Sequence, residues 1–162
     1  MPTCPHCHAS LPPNQTCQDL FHQCLALEFE HPSAFGAVHH LTVLCYSLQH
    51  NLYSPQGWLE GRRLLASFVL EGASPDEVRK QAGPRLQSGK RSWRVTGGEK
   101  DPGGEGMPGS EDLPCEKLPG VASLSWSRTI ASLRLDDPQI YCAGVRLWAE
   151  SVLLDSQAFT AG

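Results

Sequence analysis

The sequence predicts a mostly α protein that folds as a compact bundle of about five helices. Apolar residues recur at spacings of three and four along most of the chain, and several of these stretches open with a residue that commonly caps helices. The chain has 162 residues, of which 40% are hydrophobic and 19% are charged. A chain of this size and composition can build its own apolar core as one domain.

The first two predicted helices form a hairpin. The first begins after Thr16, since Thr16 and Asp19 match a capping box, and it ends at His31-Pro32. The second runs from about residue 33 to residue 51, with apolar residues at helical spacing. Because their connection is short, we expect these two helices to be antiparallel neighbours.

Three further helices are predicted. One begins at Ser54, with proline at its first position, and stops at Gly72. A short helix opens at Ser74 and reaches about residue 81, and an extended piece is expected at 93–95. The last helix begins at Asp137-Pro138. Its apolar stripe, which we interpret as core packing, consists of Tyr141, Val145, Trp148 and Val152.

We predict a single domain over residues 1–162 with four parts. Residues 1–53 hold the Cys/His-rich turn and the helical hairpin, and residues 54–96 form a helical middle. Residues 97–120 are rich in Gly, Pro and acidic side chains, which predicts a long flexible loop. Residues 121–162 form the C-terminal helical part.

The charge balance excludes some partners. Lys and Arg number 13 against 17 Asp and Glu, a formal net charge of −4, so we expect no nucleic-acid partner. Apolar runs are too short to span a membrane, and the first residues do not resemble a secretory signal. We therefore expect a cytoplasmic protein whose partner is an unknown protein or a small molecule.

Cysteine and histidine are concentrated near the N-terminus. All seven His and five of the seven Cys lie at or before residue 50, which indicates metal ligation. The alternative is a chance grouping of buried core cysteines. We interpret Cys45, Cys115 and Cys142 as core residues of that kind.

Three cysteines are the first candidate ligands. Cys4 and Cys7 form a C-x-x-C pair in a proline-rich turn, a spacing that lets two thiolates bind one tetrahedral ion. Cys17, at the start of the first helix, is the natural third ligand. A set of three thiolates and one imidazole suits zinc, so we predict an N-terminal zinc knuckle with zinc as the cofactor.

The hairpin geometry favours His50 as the fourth ligand. The end of the second helix meets the start of the first in an antiparallel pair, which brings His50 close to Cys17. His22 lies about 140° around the helix from Cys17 and faces elsewhere. His6 and His8 remain alternatives. His50 could also be simply a polar residue that the helix dipole favours at a C-terminus.

The same hairpin predicts a second polar cluster, which consists of Glu28, His39 and Tyr46. His39 and Tyr46 share one face of the second helix, and Glu28 and Cys24 lie on the facing side of the first. A carboxylate beside an imidazole can orient it, act as a base or complete a metal site. We favour a structural Glu28–His39 hydrogen bond and expect His40 at the surface.

The sequence resembles an uncharacterised family of small bacterial proteins, domain of unknown function 5946. The matching stretches are Cys4-Pro5-His6-Cys7, Cys17 with Phe21, His39-His40-Leu41-Thr42-Val43, Tyr46-Ser47-Leu48-Gln49-His50 and the final Trp148-Ala149-Glu150-Ser151-Val152. His8 stands where the family has glycine, Asn51 where it has proline and Leu44 where Asp is common. The resemblance implies metal binding and names no reaction.

Three functional hypotheses follow, and none names a catalytic residue. The first is a zinc-binding helical protein with a structural metal, acting as an interaction or regulatory module. The alternative is a metal-dependent helical-bundle enzyme, a hydrolase or thiol transferase, that uses the face of His39, Glu28 and Tyr46. A nucleic-acid-binding zinc module fits the acidic composition least well.

Overall fold

The computed structural model describes residues 2–75, 77 and 117–159, and these residues are mostly helical. Four α-helices lie in this part of the chain: α1 (Cys17–Glu30), α2 (His39–Gln49), α3 (Pro55–Leu70) and α4 (Pro138–Asp155). Short 3₁₀ turns cover Gly36–Val38, Val121–Ser123, Ile130–Ser132 and Gln157–Phe159. The predicted helical class is confirmed.

Helix starts follow the predicted caps. Thr16 and Asp19 form both hydrogen bonds of a capping box at α1, and the Ser54 and Asp137 side chains accept backbone N–H groups at α3 and α4. The Ser74 hydroxyl likewise accepts the backbone N–H of Glu77. The helix predicted to open at Ser74 otherwise lies outside the described residues, as do the extended piece at 93–95 and most of the loop at 97–120.

The second helix starts later than predicted. The chain from residue 31 turns back on the end of α1, with the backbone N–H groups of Phe35 and Gly36 both donating to the His31 carbonyl. A Cβ on Gly36 would lie 2.9 Å from the Glu28 carbonyl oxygen, so glycine permits this close approach. The tight turn occupies residues that the sequence pattern assigned to helix.

The core lies where α2, α3 and α4 pack together. Its largest fully buried side chains include Trp58, Trp148, Tyr53 and Tyr141. Trp58 donates its indole N–H to the Leu48 carbonyl at 2.9 Å, which ties α3 to α2. Within residues 2–75 and 117–159, no helix has both the length and the apolar character that crossing a bilayer requires.

Candidate metal centre

A tight turn holds the first two cysteines. The Cys4 N–H donates to the Ala9 carbonyl at 2.9 Å and the His8 N–H to the Cys4 carbonyl at 2.9 Å, so the chain folds back on itself. The His6 N–H points at the Cys4 sulfur, 3.4 Å away. His8 has a φ of 63°, a left-handed conformation that glycine adopts without strain. The turn therefore holds a non-glycine residue in a backbone conformation that costs some strain.

Two helix ends supply the other two donors. Cys17 is the first residue of α1, and His50 is the C-cap residue of α2. After His50, Asn51 has a φ of 53°, while the N–H of Leu52 donates to the Ser47 carbonyl. This is a Schellman ending, in which asparagine takes the left-handed position more easily than most residues. The ending fixes where α2 stops and therefore where His50 lies.

The structure brings Cys4, Cys7, Cys17 and His50 together as a candidate metal site, called here the Cys₃His site. Their donor atoms all lie within 4.8 Å of one another, and all four side chains are buried. Cys7 Sγ lies 3.6 Å from Cys17 Sγ, and Cys4 Sγ lies 3.6 Å from His50 Nε2. The turn and the two helix ends thus converge on one point.

The orientation of the imidazole leaves one nitrogen for a ligand. His50 Nδ1 lies 2.8 Å from the Tyr46 carbonyl, and a carbonyl can only accept, so Nδ1 carries the proton. Nε2, facing Cys4, then has its lone pair free. The rings of Phe21, Tyr46 and His50 stack in a row, with centroids 3.9 Å and 4.1 Å apart, which locks the imidazole plane.

Cys7 and Cys17 shift each other's pKa values in opposite directions. The hydrogen bond from Cys17 lowers the pKa of the Cys7 thiol, and the same bond, with burial, raises the pKa of Cys17. Burial and the nearby sulfurs raise the pKa of Tyr46 to about 12, so its phenol stays neutral. Burial and the His50 ring lower the pKa of His6. Of the Cys7–Cys17 pair, Cys7 is therefore the thiol that ionises more readily, and a thiolate is the form that binds a metal.

The segment after residue 117 is tied to the Cys₃His site by the residues that follow its ligands. The His8 ring nitrogen Nε2 lies 3.2 Å from the Ala122 carbonyl, and the Asn51 amide donates to the Leu118 carbonyl at 3.2 Å. Both residues have the left-handed conformation just described. The ligand-bearing turns are thus joined to the C-terminal part of the chain.

A second buried cluster surrounds Glu28 at the other end of the hairpin. Its Oε1 accepts from His39 Nδ1 at 2.8 Å, and its Oε2 accepts from the hydroxyls of Thr42 and Tyr141, each at 2.6 Å. Glu28 is only 3% exposed, while the His39 side chain is 56% exposed. Glu28, His39, Thr42 and Tyr141, called here the Glu28 cluster, form a closed set of donors and acceptors.

The structure places Tyr46 in a stack with Phe21 and His50, and the hydrogen bonds to Glu28 come from other residues. Tyr46 shares a helix face with His39, but seven residues separate them by about 10 Å along the axis, so Tyr46 stacks on His50 instead. Tyr141 takes the expected place beside Glu28. Sequence reasoning missed Tyr141 because this residue belongs to the apolar stripe of α4, which fits core packing. A buried tyrosine hydroxyl usually has a polar partner, and that was the available signal. Burial raises the pKa of Tyr141, and that of neighbouring Cys24 to about 11.

The remaining candidates lie away from both sites. His22 is exposed on α1. His40 is half-buried, and its ring makes an edge-to-face contact with the ring of Phe68. Cys45 and Cys142 are buried free thiols, and Cys142 donates to the Ala34 carbonyl at 3.3 Å. Cys115 lies outside the described residues.

Comparisons with known proteins place the chain in a family without assigning an activity. No match was found among curated proteins or among solved structures. A family profile described as "Family of unknown function (DUF5946)" matches residues 2–157, nearly the whole chain. The protein therefore belongs to the DUF5946 family.

Proposed function

We propose that the Cys₃His site binds one zinc ion with a structural role, and that the protein acts as an interaction or regulatory module in the cytoplasm. The observation that carries this proposal is the separation of the donor atoms. In a tetrahedral zinc site, two sulfurs lie about 3.8 Å apart and a sulfur and an imidazole nitrogen about 3.6 Å apart, as bond lengths near 2.3 and 2.0 Å require. The separations of 3.6 Å for both pairs are close to these values.

The donor set supports zinc over harder cations. Three sulfurs and one imidazole nitrogen suit a borderline-soft ion, whereas magnesium and calcium prefer oxygen ligands. Four protein donors fill a tetrahedron and leave no position for a water or a substrate, which is the arrangement of a structural site. The ion would join the N-terminal turn, the start of α1 and the end of α2, three elements distant in sequence.

The enzymatic alternative has less support from the geometry. It requires an open metal position and a face formed by His39, Glu28 and Tyr46, but Tyr46 lies beside the Cys₃His site. The carboxylate of Glu28 is already occupied by two hydroxyls and an imidazole. These contacts favour a role for Glu28 in holding α1, α2 and α4 together.

Elemental analysis of protein purified under reducing conditions tests the proposal. We expect about one zinc per chain. After replacement by cobalt(II), we expect the intense visible absorption of a tetrahedral thiolate complex. A metal-free protein that neither binds added zinc nor changes on its addition would refute the proposal. A six-coordinate cobalt spectrum would refute the closed site.

Paired histidine variants test the ligand assignment. His50→Ala should lose zinc, whereas His22→Ala should retain it, because His22 is exposed and lies away from the site. His40→Ala is a second control and should also retain zinc, because His40 contacts Phe68 instead. Full zinc content in His50→Ala would remove His50 from the site and shift the assignment to His6 or His8.

A further inference from the structure

Helix α4 is apolar on two opposite faces. One face is the buried stripe of the core. On the other side, Ile140, Leu147 and Leu154 are exposed by 43%, 45% and 63%, and Ala143 is exposed between the first two. The core explains only the first face, so the second needs its own explanation.

The spacing of the exposed residues is regular. Ile140, Leu147 and Leu154 follow one another at intervals of seven, which places them within about 40° on the helix surface. Single exposed apolar residues are common on folded proteins, but a row at intervals of seven matches one of the two positions of the heptad seam along which helices pair. The row, called here the α4 stripe, extends over most of the 18-residue helix.

Two opposite charges flank the α4 stripe on one edge. Arg146 and Glu150 are both exposed there, at the rim of an open cleft of about 370 Å³ that α4 forms with α2 and α3. Within the described residues, neither side chain forms an ion pair. Both charges are therefore available to a partner that lies along the stripe.

We propose that a second copy of this chain packs on the α4 stripe in an antiparallel, two-fold symmetric dimer. With the axis at Leu147, that residue faces the partner subunit's Leu147, and Ile140 faces Leu154 of the partner subunit. Two-fold symmetry makes the Ile140–Leu154 contact occur twice, on either side of the central leucine pair. The α4 stripes of the two subunits thus cover each other along their full length.

The charges select the antiparallel arrangement. In an antiparallel pair the same edges of the two stripes meet, and Arg146 lies about 3 Å along the axis from Glu150 of the partner subunit. Two reciprocal ion pairs then flank the seam. A parallel two-fold pair would instead place the charged edges of the two helices on opposite sides of the seam, where neither ion pair could form.

The size of the stripe sets the expected affinity. A helix of 18 residues is about 27 Å long, and one helix pair buries less than the roughly 800 Å² per partner of a standard interface. We therefore expect a dissociation constant of about 1–100 μM. The proposal concerns α4, which carries none of the four candidate metal ligands, and does not rest on the metal.

Sedimentation equilibrium of the full metal-loaded chain under reducing conditions tests the dimer. Wild-type protein should shift from monomer to dimer as its concentration rises through the micromolar range. Leu147→Glu should remain monomeric with an unchanged melting temperature at low concentration. The matched control is Leu70→Glu, because Leu70 is 76% exposed at the end of α3 and lies off the stripe. This variant should still dimerise. A monomeric wild type, or a dimeric Leu147→Glu, would overturn the proposal.

A charge exchange tests the orientation. Arg146→Glu and Glu150→Arg should each weaken dimerisation about tenfold or more, because each places like charges across the seam. The double variant should restore wild-type dimerisation, since it re-forms both ion pairs with their signs exchanged. Failure of the double variant to recover while both single variants are impaired would overturn the antiparallel arrangement, as would single variants with unchanged association.

Discussion

The two ends of the α1–α2 hairpin each bury a polar cluster, and the clusters differ in how they are satisfied. In the Glu28 cluster every contact joins a donor to an acceptor: two hydroxyls and an imidazole N–H point at one carboxylate. In the Cys₃His site, sulfur faces sulfur and a nitrogen lone pair faces sulfur. Thiols are weak hydrogen-bond donors, so this second set has electron pairs in excess.

The difference indicates which cluster needs something from outside the chain. A buried cluster that satisfies its own hydrogen bonds stabilises the fold by itself. A buried cluster of electron-pair donors becomes stable when a cation accepts those pairs. Amino-acid substitutions test this distinction, because some should alter both metal content and stability and others should alter stability alone.

The largest effect is expected from Cys17→Ser. A serine hydroxyl is a poor zinc ligand, so the variant should lose the metal and with it the link between the N-terminal turn and both helix ends. We expect a loss of about 4 kcal/mol or more in unfolding free energy, measured by denaturant titration together with zinc analysis.

Cys142→Ser is the matched control for this cysteine. It keeps a donor for the Ala34 carbonyl and lies away from the Cys₃His site, so zinc content should not change and stability should fall by about 1 kcal/mol or less. Equal losses in the two variants would mean that burial of a thiol, and not metal binding, explains the effect of Cys17.

Glu28→Ala should cause the second largest loss of unfolding free energy and should leave the metal in place. It leaves the buried Tyr141 hydroxyl without its acceptor and removes the partner of His39, at a cost of about 3 kcal/mol. Full zinc content in a destabilised Glu28→Ala protein would show that the clusters are independent. Loss of zinc would show that they act as one unit.

Local chemistry explains which parts of the fold were predictable. The starts of α1, α3 and α4 follow from Thr16, Ser54 and Asp137, because a cap needs only a side chain and the backbone within three residues. The start of α2 does not follow from its own sequence. It depends on the approach of Gly36 to the end of α1, a contact set by tertiary packing.

In the two sites, likewise, the residues that depend only on the hairpin were predictable, and those that depend on tertiary packing were not. The hairpin argument alone pointed to His50, since helix length and direction determine which ends meet. The argument grouped Tyr46 with His39 because the two residues share a face of α2. It did not take into account that they lie about 10 Å apart along the helix axis. It could not supply Tyr141 either, since α4 is about 90 residues away and nothing in the hairpin specifies how α4 packs.

A smaller effect is expected from Asn51→Ala. Alanine tolerates the left-handed φ of 53° less well than asparagine, at a cost of about 1 kcal/mol, and it lacks the amide that donates to the Leu118 carbonyl. Thermal unfolding should show a total loss of about 1–2 kcal/mol with zinc content retained. Asn51→Gly, which keeps the conformation but not the hydrogen bond, should lose less. An Asn51→Gly protein as unstable as Asn51→Ala would mean that the Leu118 contact, and not the backbone conformation, determines the loss.

The smallest effect is expected at His8, where two contributions oppose each other. Glycine would relieve the left-handed strain at a φ of 63°, a gain of about 1 kcal/mol, but it would remove the contact between the ring and the Ala122 carbonyl and add freedom to the unfolded chain. His8→Gly should therefore change the unfolding free energy by only about 0.5 kcal/mol. His8→Ala keeps the strain and loses the contact, so it should be less stable than His8→Gly by about 1 kcal/mol. If His8→Gly were as destabilised as His8→Ala, the ring contact with Ala122 would outweigh the backbone strain, and the histidine would be holding the segment after residue 117 against the Cys₃His site.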